Sequence, residues 1–313
     1  MKNLYLVLFI TLGLNYSFAQ QSIDRSFNGI TRIDLSTASG DCNIVKGGKD
    51  VRVELEHTYD SDVFTPVLEQ KGDRLTLKEE FKRNNRSNGY SKWKLTVPDD
   101  IKLSFNTGSG NLNAQDIDIN ITSNSGSGNV IGKKLKGSLT SNSGSGNTEL
   151  DQFDGELSVN AGSGNVELAD SKGEFSVNLG SGNVEGEGNS GEFSVNVGSG
   201  DIEMEDAIIT GASSFNSGSG DATVIISAPL QDNISINSGS GDATLDFNGQ
   251  TVEGVFTMKA NKQNGDISAP FEFDSEVEEE NGRQTTVKKM AKVGNSSVEI
   301  KIGTGSGKAA VKK

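Results

Sequence analysis

Residues 174–184 read Glu174-Phe175-Ser176-Val177-Asn178-Leu179-Gly180-Ser181-Gly182-Asn183-Val184. Phe175, Val177 and Leu179 alternate with Glu174, Ser176 and Asn178, and a period of two marks a strand buried on one face only. The strand stops at Gly-Ser-Gly, a corner, and the alternation then restarts. The same tripeptide begins at Gly108, Gly126, Gly144, Gly162, Gly180 and Gly198, always 18 residues apart, then at Gly218 and Gly239 after gaps of 20 and 21, and last at Gly305. Ser39-Gly40-Asp41 is an early half-copy, and Asn264-Gly265-Asp266-Ile267 fills the place expected after Gly239.

Self-similarity at a fixed short period is the signature of a repeat architecture. Val166 and Leu168 carry the alternation beyond one corner, and Leu135, Phe153 and Ala207 mark a third small apolar position. Three short sides per 18 residues predict a triangular coil: an all-β, parallel β-helix (β-solenoid) with 18-residue rungs. One rung cannot bury its apolar face alone, so rungs must stack, each strand pairing in parallel with its copy about 4.8 Å away. Glycine is expected at the corners because turning there needs positive φ. No window has apolar residues at helical spacing, and glycine interrupts every candidate helix.

Around this regular part, residues 101–313, the chain divides further. Residues 1–19 read as a signal peptide: Lys2 supplies a positive start, residues 4–14 an apolar stretch too short to span a bilayer, and Ser17-Phe18-Ala19 a small-x-small cleavage site. Residues 20–100 are read as irregular N-terminal rungs, with Val51, Val53 and Leu55 alternating with charges and Pro98 ending a strand. Residues 84–88 are a polar loop. Near the C-terminus, residues 271–280 and 283–293 flank Asn281-Gly282, a hairpin signal, and the expected hairpin lies between the last two rungs.

Composition narrows the function. The 313 residues carry 43 acidic and 29 basic side chains. Loss of residues 1–19 removes one basic residue, leaving a formal charge of −15. Nucleic acid and anionic lipid need a basic footprint and are poor partners; cations and neutral glycans fit better. One cysteine, Cys42, excludes a disulfide within the chain, and a single histidine, His57, removes most metal and Ser-His-Asp chemistry. Cys42 reads as a small buried residue and His57, after Val51, Val53 and Leu55, as a rim residue.

The repeated unit, Φ-x-Φ-Asn-x-Gly-Ser-Gly-Asn/Asp-Φ, resembles the putative adhesin β-strand-repeat domains of bacterial envelopes and is similar to the head GIN domain of putative auto-transporter adhesins. Phe27-Asn28-Gly29-Ile30 and Val97-Pro98-Asp99 also fit. The resemblance covers nearly the whole mature chain. It implies a right-handed coil and an adhesin-like role, and it brings no catalytic residues.

A fixed repeat converts positions into columns. Asn106, Asn124, Asn142, Asn160, Asn178, Asn196, Asn216 and Asn237 form one, with amides bonded to the corner backbone or to each other. Ser104, Thr122, Thr140, Ser158, Ser176, Ser194, Ser214 and Ser235 form a second. Together they make either a solvated face or a docking surface for a glycan or another envelope protein, centred on Ser158, Asn160, Ser176, Asn178, Ser194 and Asn196. Acidic columns run through Glu149, Glu167, Glu185 and Glu203, and through Glu156, Glu174 and Glu192. After Gly-Ser-Gly stands Asn111, Asn129, Asn147, Asn165 or Asn183, then Asp201, Asp221 and Asp242, with Asp266 at the degenerate corner. These four carboxylates either cap their corners or hold a weak calcium ion; no other cofactor is expected. The chain thus reads as a non-catalytic, exported protein of the periplasm, cell surface or extracellular space, without a membrane span. The alternative is a polysaccharide-binding or polysaccharide-cleaving β-helix enzyme, which would need an irregular carboxylate cluster in a groove.

Overall fold

Strands that alternate buried and exposed residues pair with their own copies in the computed structural model, which describes residues 20–82, 89–282 and 284–313; the expected signal peptide and polar loop lie outside them. All regular elements among the described residues are strands. Lys172–Ser181 runs parallel between Asp154–Ser163 and Ser190–Ser199, with Phe175 beside Leu157 and Phe193, and Asn178 beside Asn160 and Asn196. The offset is 18 residues, lengthening to 20 where Asn196 meets Asn216 and to 21 where Asn216 meets Asn237. The result is an all-β, solenoid-like coil.

One rung shows its three sides. Thr148–Asp151 forms the first, Gln152 turns the chain, Phe153 occupies a short second side, Gly155 turns it again, and Asp154–Ser163 carries it along the third to Gly162-Ser163-Gly164. The first turn is a column of left-handed residues: Asp116, Lys134, Gln152, Asp170 and Asp206 have φ between 48° and 57°, with Gly188 at 67° in the same place. Inside, Phe175 and Phe193 stack with centroids 5.0 Å apart, and Phe215 follows at 5.8 Å. Each is at most 2% exposed, and burying one such ring contributes roughly 1.5–3 kcal/mol.

The positive φ expected of the corner glycines is present at Gly164, Gly182 and Gly200, with values of 147°, 121° and 140°, but not at every corner. Gly110, Gly128 and Gly146 do not adopt positive φ; a Cβ there would collide with the carbonyl oxygen of Gly40, Gly110 or Gly128 in the rung before. Close stacking of backbones therefore demands glycine even where the turn does not. A second column, Gly137, Gly155, Gly173 and Gly191, does the same at the opposite corner.

The second side also holds polar residues. Ser171 and Asn189 are buried where neighbouring rungs have Leu135, Phe153 and Ala207. Every polar group finds a partner: the Phe153 N–H donates to Ser171 Oγ at 3.0 Å, the Ser171 N–H to Asn189 Oδ1 at 2.9 Å, and Asn189 Nδ2 to the Leu168 carbonyl at 2.9 Å. Buried polar side chains are tolerated on those terms.

The ends are threaded differently from the sequence order. Glu299–Thr304 and Lys308–Lys312 lie directly on Ile234–Ser238 and Ala243–Asp246, so the Gly305 corner follows the Gly239 corner. Gly254–Asn261 and Asp266–Ser268 lie outside them, and Gln284–Val293 and Ser275–Asn281 add antiparallel strands beyond. Asn264–Ile267 therefore does not fill the place after Gly239. At the other end Arg32–Thr37 and Asp41–Lys46 join the coil at Ile101–Thr107 and Leu112–Ser125, while Arg74–Phe81 and Ser91–Val97 pair with them on the side away from the coil. Each end is thus closed by an excursion of the chain that finishes in antiparallel strands. Their outer edges carry the features that discourage further pairing, Pro66 in Phe64–Lys71 and four glutamates in Ser275–Asn281.

Candidate binding face

The third side of the coil presents Ser158, Asn160, Ser176, Asn178, Ser194 and Asn196 outward, alternating with buried Leu157, Val159, Phe175, Val177, Phe193 and Val195. The asparagines are bonded to one another. Asn124 Nδ2 donates to Asn106 Oδ1 at 2.9 Å, and the chain continues through Asn142, Asn160, Asn178, Asn196, Asn216 and Asn237 at 2.9–3.3 Å. It stops where Gly303 pairs with Asn237. At its two ends the amides of Asn106 and Asn237 also reach Ser104 and Ser235. Each link uses one of two N–H groups and one of two carbonyl lone pairs. The unused donor and acceptor recur at each rung from Asn124 to Asn216, about 4.8 Å apart. A shallow groove of about 280 Å³ lies along Glu156, Ser158, Glu174, Ser176, Glu192 and Ser194.

Beyond Asn111, whose Nδ2 also donates to Asp41 Oδ1 at 3.1 Å, the Asn/Asp column after Gly-Ser-Gly works through its side-chain oxygens. Asn165 Oδ1 accepts the Asn183 N–H at 2.9 Å, Asn183 Oδ1 that of Asp201 at 3.0 Å, Asp201 Oδ1 that of Asp221 at 2.8 Å, and Asp221 Oδ1 that of Asp242 at 2.8 Å. Since only an acceptor is required, Asp and Asn are interchangeable there. Asp242 Oδ1 takes the N–H of Lys308, not of Asp266; Asp266 pairs with Lys308 one rung further out. The four carboxylates expected to act together are therefore three in succession and one set apart. Among the described residues, no group of three or more His, Cys, Asp or Glu side chains is placed to hold a metal ion.

On the first side Glu149, Glu167, Glu185 and Glu203 stand in register, with Asp151, Glu187 and Glu205 beside them, over a groove of about 380 Å³. Lys133 pairs with Asp151 at 2.9 Å. Residues 101–250 carry 20 acidic and 5 basic side chains, so this shaft accounts for the whole charge imbalance of the mature chain. The two ends are close to neutral, an asymmetry readable in the sequence by counting region by region.

The groups with nucleophilic or acid–base character lie elsewhere. Cys42 is fully buried, and burial pushes its thiol well above the usual range, the neutral thiol being the inert form. His57 is not a rim residue: it is 3% exposed and packs on Phe64, ring centroids 4.6 Å apart. Burial holds its imidazole below the ordinary value.

Parallel rungs, stacked corners and polar outer columns define an all-β, solenoid-like repeat protein. The chain belongs to the Toastrack DUF4097 family, whose signature matches residues 30–253. It is similar in structure to a "putative lipid binding protein" of Parabacteroides distasonis ATCC 8503, at 20% identity over 72% of this chain and 89% of that one, TM-score 0.41. It is also similar to a "putative adhesin" of Bacteroides fragilis NCTC 9343, at 13% identity over 94% and 98%, TM-score 0.36. A "putative cell adhesion protein" of Clostridium sporogenes ATCC 15579 matches at 14% identity over 94% and 99%, TM-score 0.22. No curated protein sequence matches the chain.

Proposed function

We propose that this chain is an exported, non-catalytic binding or scaffold protein of the cell envelope, whose Ser/Asn face docks a neutral, repeating partner such as a glycan or another envelope protein. The observation that carries the reading is the unbroken asparagine column, whose amides from Asn124 to Asn216 each keep one donor and one acceptor free on an outward face. A periodic array of amides and hydroxyls, bordered by the Glu156, Glu174 and Glu192 column, suits hydroxyl-rich neutral polymers, and the −15 charge of the shaft disfavours nucleic acid and anionic lipid. The same reading takes the coil as right-handed, as the motif resemblance implies, and places the protein in the periplasm, at the cell surface or outside the cell.

The test is capture of glycans and envelope extract by residues 20–313, compared with a Ser176→Arg, Ser194→Arg variant. Both serines point outward, so circular dichroism of the variant should be unchanged. Loss of capture supports the assignment; full capture by the variant removes this face from consideration.

A further inference from the structure

We propose that His57 is an acid-sensitive latch on the N-terminal end of the coil, holding Arg74–Phe81 against the first rung when neutral and releasing it when protonated. It is the one histidine among 313 residues. It ends the strand Val51–His57, facing inward with Val51, Val53 and Leu55. Its ring packs on Phe64, which in turn meets Tyr59 at 5.0 Å and Phe81 at 5.1 Å between centroids. Nδ1 is buried with no hydrogen-bond partner. A neutral imidazole tolerates that as an acceptor left idle. An imidazolium donates from both nitrogens, so protonation would place an N–H on the buried Nδ1, where no partner stands in hydrogen-bonding geometry.

The surroundings offer little to hold the extra charge. Gln21 and Ser91, beside His57 on the flanking strands, are neutral. Glu54 and Glu56 lie on the outward face of its own strand, where Glu54 is engaged by Arg52 and Lys94. Glu79, on Arg74–Phe81, is the charged group facing it, and together with the Tyr59 backbone it favours the proton; burial opposes both and prevails. The Glu79 carboxylate is already in use. It accepts from Ala38 N–H at 2.8 Å, from Trp93 Nε1 at 3.0 Å and from the Ser91 hydroxyl. It thus caps the first corner, where no earlier rung supplies a carbonyl. Drawing Glu79 toward a protonated His57 would uncap that corner.

Since His57 is held below its ordinary value, the closed end binds fewer protons than the open end. Closure is therefore complete above the ordinary histidine value of about 6.5 and weakens as pH falls below it. Each unit of depression is worth about tenfold in the opening equilibrium. Release would expose the edge of Arg32–Thr37, now paired with Arg74–Phe81, as a template for another strand.

Amide hydrogen exchange on residues 20–313 at pH 7.5 and pH 5, corrected for intrinsic rates, tests this. Exchange across 64–82 should rise at pH 5, by up to about tenfold per unit of depression, while 148–246 stays protected. His57→Phe, which keeps the aromatic packing, should stay closed at both values, and His57→Gln serves if the phenylalanine variant misfolds. The imidazole proton resonance of the sole histidine should titrate together with the opening. Uniform protection at both values, or an acid opening that survives in His57→Phe and disappears in Glu79→Gln, would overturn the proposal.

Discussion

Ser143 Oγ accepts the backbone N–H of Gly146 at 2.6 Å, closing the Gly-Ser-Gly corner within its own rung. Thr107, Ser217 and Ser238 do the same for Gly110, Gly220 and Gly241. In the middle of the coil the hydroxyl is missing, because Ala161, Leu179 and Val197 stand in that place. There Gly164, Gly182 and Gly200 turn to φ of 147°, 121° and 140°, and the Gly164 and Gly182 N–H groups donate to Ser181 and Ser199 in the following rung. One residue before the tripeptide thus selects between two corners. Ser143→Ala should cost about 1 kcal/mol, the net worth of a hydrogen bond, and speed exchange of the Gly146 amide. Denaturant unfolding and amide exchange check it; an unchanged Gly146 amide would mean the hydroxyl does not set the corner.

Three glycine-to-alanine variants separate the reasons for glycine. At Gly146 a Cβ would strike the Gly128 carbonyl, fixed by the stack, and the expected loss is about 3 kcal/mol, the upper range of overpacking. At Gly249 space is open but φ is 78°, so the cost should be about 1 kcal/mol. At Gly48 nothing lies within 4 Å and φ is not positive, so alanine should be neutral or stabilising by a few tenths of a kcal/mol. Any other order of melting temperatures contradicts the close-stacking account.

Gln152 occupies the left-handed turn at φ 57°, where the neighbouring rungs use Asp170 and then Gly188. A glutamine gains nothing from that conformation and pays a steric penalty that glycine avoids. Gln152→Gly should therefore raise stability, by up to about 1 kcal/mol after allowing for the greater freedom of glycine in the unfolded chain. Thermal unfolding of the single variant decides it, and a lower midpoint would show that the Gln152 side chain contributes packing of its own.

The regular coil was legible because its information is local and repeated. The alternation around Phe175 and Phe193 places both rings inside, and the constant 18-residue spacing sets their register. Threading at the ends was not legible. Whether 264–267 or 299–312 lies on Ala243–Asp246 depends on long-range pairing, which period alone does not specify. Ser171 and Asn189 interrupt the apolar second side, and their burial is understandable only from the bonds they make. His57 was in fact readable: it continues Val51, Val53 and Leu55, and that parity belongs to the buried face. Of the polar face, the outward direction follows from alternation, whereas amide-to-amide bonding depends on side-chain rotation that sequence does not fix.

Asp221 allows the turn and metal readings of its column to be separated. Its Oδ1 accepts the Asp242 N–H at 2.8 Å, and its own N–H donates to Asp201 Oδ1 at 2.8 Å. Stacked carboxylates about 5 Å apart repel by somewhat under 1 kcal/mol in water, a cost that salt reduces. Asp221→Asn keeps the acceptor and removes the repulsion, so stability should be unchanged or slightly higher, and its dependence on salt weaker. Asp221→Ala removes the acceptor, leaves the Asp242 N–H to solvent, and should cost about 1 kcal/mol. Under the turn reading calcium and chelator at matched ionic strength give equal midpoints for all three proteins. A midpoint raised by calcium in the parent chain and not in Asp221→Asn would instead place a cation between Asp201, Asp221 and Asp242, with Asp266 beyond its reach across Lys308.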